Sequence, residues 1–328
     1  MDEVRREELL DAYDLDPAVE IRQDRRGMIN ETWFVGENCV LTIFRLRPEP
    51  QVHIIVDLVQ RDPTELFPHV VNARCGPTAR IDGKPAVMWR RIKGKHYVGR
   101  DHGDKEPITE MGHISIAESF WKLHSYLNEN ATFGPRLGQM VYAGRTPNAP
   151  ADLALRDLPV FLHKPYIAEY LETVELPLKY PTLLHRDFER QNLLHLKSGK
   201  VSGIVDVDSL MEGDLLFEYG HAMMNFVFSD PAYTTRYADH YIDAMLQHGL
   251  IHQEDIALMP RLIRSFAAKD LVDYHRYDEN PPKTDLARLS VIYETALNRM
   301  QSFFEDLLLP NTPRPFNKQC FGGLKPCF

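Results

Sequence analysis

One segment constrains this chain more than any other. It runs from His185 through Asp187 to Asn192, and a predicted strand ending at Asp206 follows 14 residues after Asn192. Three fixed positions in the pattern H-x-D-x-x-x-x-N arise by chance in many chains. A strand that ends in an acidic residue at this distance reduces the chance explanation to about one in ten, because a motif gains weight from its structural context.

The chemistry of phosphoryl transfer explains this spacing. A carboxylate must accept the proton of the attacking hydroxyl, and oxygen ligands must hold magnesium against the phosphates of ATP. Asp187 can supply the first group, and Asn192 and Asp206 can supply the second. Asp208 lies two positions after Asp206, so strand alternation predicts a second metal contact there, with a solvated or helix-capping role as the alternative. We therefore predict ATP and Mg²⁺ as cofactors.

The predicted elements run from a small β-rich part to a longer helical part. Gly36-Glu37-Asn38 separates two runs rich in aromatic and β-branched residues, which predicts a hairpin. Further predictions are a helix at 51–59, a strand at 85–90, a helix at 109–128, short strands at 183–185, 193–195 and 201–207, and a last helix capped by Thr284. This order is typical of an α+β, two-lobed protein-kinase-like fold, although other α+β folds share it. We predict an N-lobe at 1–92, a C-lobe at 93–309 and a tail at 310–328.

Composition and charge limit the other possibilities. The chain has 328 residues, 44% of them hydrophobic, which is enough for a full core. Its formal net charge of -9 argues against nucleic-acid binding. The charged N-terminus and the lack of a long apolar run lead us to expect a cytoplasmic protein with no membrane partner. The four cysteines lack the spacing of a metal site or a redox motif and are expected to be reduced thiols: Cys39, Cys75, Cys320 and Cys327. No feature of the sequence specifies an oligomeric state.

With these motifs, the chain resembles the aminoglycoside phosphotransferase and choline kinase superfamily of small-molecule kinases, including its homoserine kinase branch. The resemblance covers most of the chain. It implies that Asp187 is the catalytic base, that Asn192 and Asp206 are metal ligands, and that His185 supports the catalytic loop. It also implies nucleotide contacts in a reduced phosphate-covering turn and in the third strand, at Gly27, Asn30, Thr32, Val40 and Thr42.

Thr42 departs from the protein-kinase pattern, whereas Arg186 departs from the pattern of the small-molecule families, which usually have glycine there. Thr42 stands where protein kinases have a lysine that neutralises the phosphates. The homoserine kinase branch resembles this chain in having threonine at that position. Strand alternation should point Arg45 to the face opposite Thr42, so Arg45 is a poor replacement for that lysine. Glu49 is an uncertain candidate for the carboxylate on the helix that follows the strand. Arg186 is like protein kinases and could pair with an acidic residue such as Asp214.

The sequence therefore predicts an ATP-dependent O-phosphotransferase acting on a small-molecule hydroxyl acceptor, such as an amino alcohol like homoserine, an aminoglycoside or a sugar. A pseudokinase or nucleotide-binding regulatory module and a protein kinase remain the alternatives. The acceptor pocket is expected in the helices after Asp214. Four acidic residues there could attract an amine, although a solvated face is the preferred interpretation: Asp270, Asp273, Asp278 and Glu279.

Overall fold

The computed structural model describes residues 1–24, 30–97, 107–138, 156, 158–172, 179–277 and 283–308. Its first part contains two helices and a six-stranded antiparallel sheet, with bounds α1 Glu3–Tyr13, β1 Ile21–Asp24, β2 Glu31–Val35, β3 Cys39–Ile43, α2 Glu49–Arg61, β4 Val70–Val71, β5 Ala79–Ile81 and β6 Lys84–Arg90. The strand order is β1-β2-β3-β6-β4, and β5 also pairs with β6. This is the small lobe, with the predicted hairpin between β2 and β3.

Side-chain alternation gives the sheet of the small lobe two different faces. Trp33 and Leu41 lie on the outer face, in a core shared with Leu9 of α1. Val87 and Trp89 lie on the opposite face and belong to the main core, which continues into the helical lobe. The inner face of the sheet is therefore the one turned towards the large lobe.

The large lobe is mostly helical. Its elements are β7 Lys95–His96, α3 Glu110–Glu129, α4 Gly134–Leu137, α5 Pro165–Glu172, β8 Pro181–Leu184, β9 Leu193–His195, β10 Val201–Ile204, β11 Met211–Asp214, α6 Leu215–Ala222, α7 Thr235–Gln247, α8 Met259–Tyr277 and α9 Lys283–Leu308. A π-helix, Met223–Phe228, follows α6 directly. The predicted helix at 109–128 is confirmed, and Thr109 caps it by accepting the backbone N–H of Gly112 at 3.1 Å. The predicted cap at Thr284 is wrong, because α9 already begins at Lys283.

Two small antiparallel sheets within the large lobe position the motif. One has the order β10-β9-β7, and the other pairs β11 with β8. The three short predicted strands are confirmed, but the first ends at Leu184 and the third at Ile204. His185 to Asn192 therefore forms a loop between β8 and β9, and Asp206 lies just beyond β10.

The architecture confirms the predicted α+β fold with a β-rich small lobe and a helical large lobe. The lobe limits remain a prediction, although β7 pairs with β9 of the large lobe immediately after residue 93. None of the described helices is long and apolar enough to cross a membrane. Cys39 and Cys75 are free thiols, whereas Cys320 and Cys327 lie outside the described residues.

Candidate active site

A buried carboxylate fixes the start of the loop between β8 and β9. Glu218 of α6 accepts the backbone N–H of His185 at 2.9 Å and that of Arg186 through its other oxygen. Glu218 is 1% exposed, and burial raises its pKa to about 8. Arg186 has a left-handed backbone with φ +69°, a conformation that a non-glycine residue keeps only when its surroundings impose it. Glu218 therefore stabilises the sharp turn that precedes Asp187.

The side chain of His185 is turned towards the inside of the protein. It is completely buried and stacks on Phe67 of the small lobe, with 6.4 Å between ring centroids. Burial lowers the pKa of His185 to about 4, so the ring is neutral near pH 7. A ring with no exposed surface presents no atom to a substrate in this structure. The ring therefore packs inside the protein beneath the loop, and a supporting role for His185 stays a prediction from the resemblance.

Asp187 and Asn192 lie together at opposite ends of the loop. The Nδ2 of Asn192 donates to Oδ2 of Asp187 at 2.7 Å and to its backbone carbonyl at 2.9 Å. This leaves Oδ1 as the amide atom that can bind a cation. The backbone N–H of Val205 donates to the Asn192 carbonyl at 2.8 Å, which joins the loop to the chain just before Asp206. The predicted base and the first predicted metal ligand are thus in direct contact.

Asp206 and Asp208 lie in a turn, not on one strand face as alternation predicted. Asp206 has a left-handed backbone with φ +66° and begins the 3-10 turn Val207–Ser209, because β10 has already ended at Ile204. The Asp206 side chain is exposed, but the protein around it removes part of its hydration. This desolvation raises the pKa of Asp206, and the adjacent carboxyl of Asp208 and the charge of Asp187 raise it further. Three acidic side chains therefore converge where the lobes meet.

These residues fit a magnesium ion that also binds phosphate. The described residues contain no group of three or more His, Cys, Asp and Glu side chains arranged to hold a metal. The candidate ligands are instead two carboxylates and one amide oxygen, and magnesium commonly keeps few protein ligands beside phosphate and water. Oδ1 of Asp208 is buried without a hydrogen-bond partner, which fits an atom that binds a cation.

The inner face of the small-lobe sheet carries the predicted nucleotide contacts. Thr32 and Thr42 are cross-strand neighbours, and Val40 lies on the same face two residues before Thr42. All three are half-buried. The hydroxyl of Thr42 accepts the indole N–H of Trp89 at 3.1 Å, so the position of the kinase lysine holds a neutral group engaged within the small lobe. Gly27 lies outside the described residues.

Asn30 connects the small lobe to the metal-binding turn. Its Nδ2 donates to Oδ2 of Asp208, and its Oδ1 accepts the backbone N–H of Arg45 at 3.1 Å. The Arg45 guanidinium donates to Glu31 at 3.2 Å, on the face turned away from Thr42, as predicted. Asn30 is therefore close to the predicted metal ligands, where phosphate groups would lie.

The structure shows hydrogen bonds or ion pairs for two carboxylates whose roles the sequence left uncertain, Glu49 and Asp214. Glu49, at the start of α2, forms an ion pair with Arg80 of β5, so it does not serve the inner face of the sheet. Asp214 accepts the backbone N–H groups of Tyr180 at 3.1 Å and of Leu216 at 2.8 Å. Asp214 therefore caps α6 and fixes the start of β8.

On the acceptor side, only one of the four predicted acidic side chains is described. Asp270 accepts a hydrogen bond from the hydroxyl of Tyr293, which is fully buried between α8 and α9. Asp270 therefore serves helix packing. Asp278 and Glu279 and the side chain of Asp273 lie outside the described part of the chain.

Two arginines near the site, the buried Arg190 and the half-buried Arg47, were missed by sequence reasoning. Arg190, inside the loop, is 3% exposed and donates to Asp230 at 2.7 Å and to the carbonyl of Asn225 in the π-helix at 3.1 Å. Its place within the motif was a usable signal. Arg47, after β3, donates to three backbone carbonyls of the large lobe. The sequence near Arg47 does not indicate those partners.

Solved phosphotransferases share this fold. Spectinomycin phosphotransferase APH(9)-Ia, solved with ADP and spectinomycin, has a TM-score of 0.62 at 11% identity, over 90% of this chain and 97% of that one. APH(2'')-IIia in complex with GDP and kanamycin has a TM-score of 0.56 at 16% identity, over 89% and 98%. The macrolide 2'-phosphotransferase MphH from Brachybacterium faecium has a TM-score of 0.53 at 15% identity, over 92% and 95%. At these identities the likeness concerns the fold.

The family itself is identified by sequence. No curated protein sequence matches the chain significantly. The sequence model of the phosphotransferase enzyme family, in contrast, matches residues 20–251, which is more than half of the chain and includes every predicted catalytic, nucleotide-contacting and metal-binding residue. The match confirms the predicted resemblance and the prediction of a small-molecule kinase. The chain therefore belongs to the phosphotransferase enzyme family.

Proposed function

We propose that this chain transfers the γ-phosphate of ATP to a hydroxyl group of a small molecule in a magnesium-dependent reaction. One arrangement carries the proposal. Asp187 is hydrogen-bonded to Asn192 at 2.7 Å, and the charge of Asp187 acts on Asp206. A candidate base and two candidate metal ligands thus form one cluster where the lobes meet, which is the arrangement that phosphoryl transfer requires.

Asp187 acts as the base in this proposal. Its partly exposed carboxylate accepts the proton of the acceptor hydroxyl while the acceptor oxygen bonds to the γ-phosphorus and the bond from that phosphorus to the ADP oxygen breaks. Asn192 and Asp206 would hold Mg²⁺, and Asp208 would supply a further contact. When bound, Mg²⁺ would neutralise charge on the phosphates. Most of the catalysis then comes from positioning and from charge neutralisation.

The nucleotide lies against the inner face of the small-lobe sheet in this proposal. Thr32, Val40 and Thr42 line that face, and Asn30 lies at the phosphate end, beside Asp208. Gly27 would belong to the turn that covers the phosphates. ATP is the proposed donor. Spectinomycin phosphotransferase was solved with ADP and APH(2'')-IIia with GDP, so GTP is the donor to compare with ATP.

The acceptor class is proposed from chemistry and from the solved relatives. One of these structures contains spectinomycin, another contains kanamycin, and the third is that of a macrolide 2'-phosphotransferase. An amino alcohol such as homoserine, an aminoglycoside or a sugar fits the same reaction, since each offers a hydroxyl beside polar groups. A cytoplasmic location would supply the ATP.

The test begins with binding and continues with turnover. We expect Mg²⁺ with ATP to raise the melting temperature more than ATP with EDTA does, and Mg²⁺ with GTP serves as the comparison. Release of ADP is then measured with a panel of amino alcohols, aminoglycosides, macrolides and sugars. Nucleotide binding without ADP release from any acceptor or from water would instead favour a regulatory pseudokinase. Phosphorylation of a protein alone would favour the protein-kinase alternative.

A further inference from the structure

Arg47 occupies an unusual position between the lobes. It precedes α2 of the small lobe, yet its guanidinium reaches the turn that follows Asp206 in the large lobe. Nε donates to the carbonyl of Asp208 at 2.8 Å, and Nη2 donates to the carbonyl of Leu210 at 2.9 Å. Nη1 donates to the carbonyl of Leu137 at 3.0 Å and to the side chain of Gln51 at 3.0 Å. Three carbonyls of the large lobe are thus bound by one side chain of the small lobe.

The carbonyls that Arg47 binds belong to one structural unit. Asp208 and Leu210 flank the end of the 3-10 turn that begins after Asp206. Leu137 ends α4, and the carbonyl of the next residue, Gly138, accepts the backbone N–H of Glu212 at 2.9 Å. The guanidinium therefore binds the backbone of the turn, whereas Asn30 binds the side-chain carboxylate of Asp208.

The usual link between the lobes of a protein kinase is a lysine on the third strand paired with a helix carboxylate. Neither partner is available for that role in this chain. Thr42 accepts the indole N–H of Trp89, and Glu49 is paired with Arg80. Within the described part of the chain, it is Arg47 that joins α2 and the preceding loop to the metal-binding turn, through several hydrogen bonds.

We propose that Arg47 is a positioning residue that couples the small lobe to the metal-binding turn and so sets the placement of Asp206 and Asp208 for Mg²⁺ and the nucleotide phosphates. The inference rests on the proposed function for its ligand, but its structural half stands on the contacts alone. Burial lowers the pKa of the Arg47 guanidinium, and the charge of Asp208 opposes this effect. The planar fork of arginine matches these contacts, because each carbonyl is bound by a different nitrogen, whereas a lysine ammonium presents all its donors from one nitrogen.

The test compares Arg47→Met and Arg47→Lys with the control Arg6→Met. Arg6 is a matched arginine, since its guanidinium also donates to two backbone carbonyls, those of Pro17 and Val19, at 2.8 and 3.0 Å, but at the outer edge of the small lobe. Hydrogen–deuterium exchange without nucleotide is measured first, over residues 207–212. We expect exchange there to rise by about 10-fold or more in Arg47→Met, less in Arg47→Lys, and not at all in Arg6→Met.

Calorimetry with a non-hydrolysable ATP analogue then measures affinity with and without Mg²⁺. We expect the gain in affinity caused by Mg²⁺ to fall by about 10-fold in Arg47→Met, as for loss of a group that orients metal ligands, with metal-free affinity unchanged. The midpoint of the magnesium titration of turnover should rise correspondingly. A role in folding alone would lower the melting temperature without changing the magnesium dependence.

The outcomes separate this inference from the proposed function. Unchanged exchange at 207–212, or an unchanged magnesium gain in a folded Arg47→Met protein, would overturn the role of Arg47. If Arg47→Met does not fold, the same two measurements on Arg47→Lys decide the question. A wild-type protein that binds no magnesium nucleotide would refute the proposed function, and it would also refute the metal-positioning role even if the exchange result held.

Discussion

Replacing Asp187 by Asn removes a charge and keeps the shape of the side chain. The oxygen of the new amide can still accept the hydrogen bond that Asn192 now donates to Asp187 at 2.7 Å. The loop therefore loses only the charge assistance of one hydrogen bond, about 1 kcal/mol or less in stability. General-base catalysis contributes about 100- to 10,000-fold to rates, which corresponds to about 3 to 5 kcal/mol of barrier. We expect kcat to fall by at least about 100-fold.

Nucleotide affinity should respond differently to the same change. The charge of Asp187 is one cause of the raised pKa of Asp206, so its removal lowers the pKa of Asp206 and favours the ionised, metal-binding form. We therefore expect affinity for magnesium nucleotide to stay within about 3-fold of wild type or to increase, because a base acts mainly in the transition state.

The assay pairs calorimetric titration of magnesium nucleotide with steady-state ADP release, from an acceptor or from water. Asp57→Asn is the matched control, since Asp57 is partly exposed on α2 and pairs with Arg61 at 2.8 Å, and it should leave kcat unchanged. Collapse of nucleotide binding with normal turnover of each bound complex would refute the assignment and make Asp187 a metal or nucleotide ligand.

Three further predictions concern the groups around Asp187. Asp206→Ala should lower turnover by about 100- to 1000-fold with the fold intact by circular dichroism, because a charged metal ligand is lost; wild-type turnover at saturating magnesium would contradict this. Asn192→Ala should raise the magnesium concentration needed for half-maximal turnover, a milder effect since a neutral oxygen is lost, and an unchanged titration would exclude the role. For Glu218, burial raises the folded-state pKa to about 8, so ionisation above its ordinary pKa favours the unfolded chain. Wild-type stability should therefore fall by up to about 1.4 kcal/mol per pH unit between pH 5 and 8 through this group, and Glu218→Gln should flatten the dependence of the melting temperature on pH; equal slopes would count against the raised pKa.

Much of the fold followed from local pattern. The hairpin around Gly36, the helix capped by Thr109 and the strands before and after the catalytic loop depend on alternation, turn residues and capping, which act within a few residues. The spacing of Asp187, Asn192 and Asp206 also follows from sequence, because one short hairpin lies between the loop and the turn. These local rules suffice to predict the elements on either side of the loop, whereas the family was predicted from the resemblance of its motifs.

The predictions that failed concern the ends of elements. Thr284 is not a cap, because α9 begins one residue earlier. Asp206 and Asp208 do not share a strand face, because β10 ends at Ile204 and a 3-10 turn follows. Such boundaries depend on how neighbouring segments pack, and periodicity within the segment does not report it.

The sequence by itself determined the motif, the order of the two lobes and the absence of a lysine at Thr42. Only the tertiary structure decided which groups replace the missing link between the lobes. Arg47 lies 161 residues from Asp208 in sequence and binds its backbone carbonyl, and Asn30 lies 178 residues from the carboxylate that it contacts. Backbone carbonyls are present at every residue, so no pattern in the sequence can mark the three that Arg47 binds, and their choice follows from the packing of one lobe on the other.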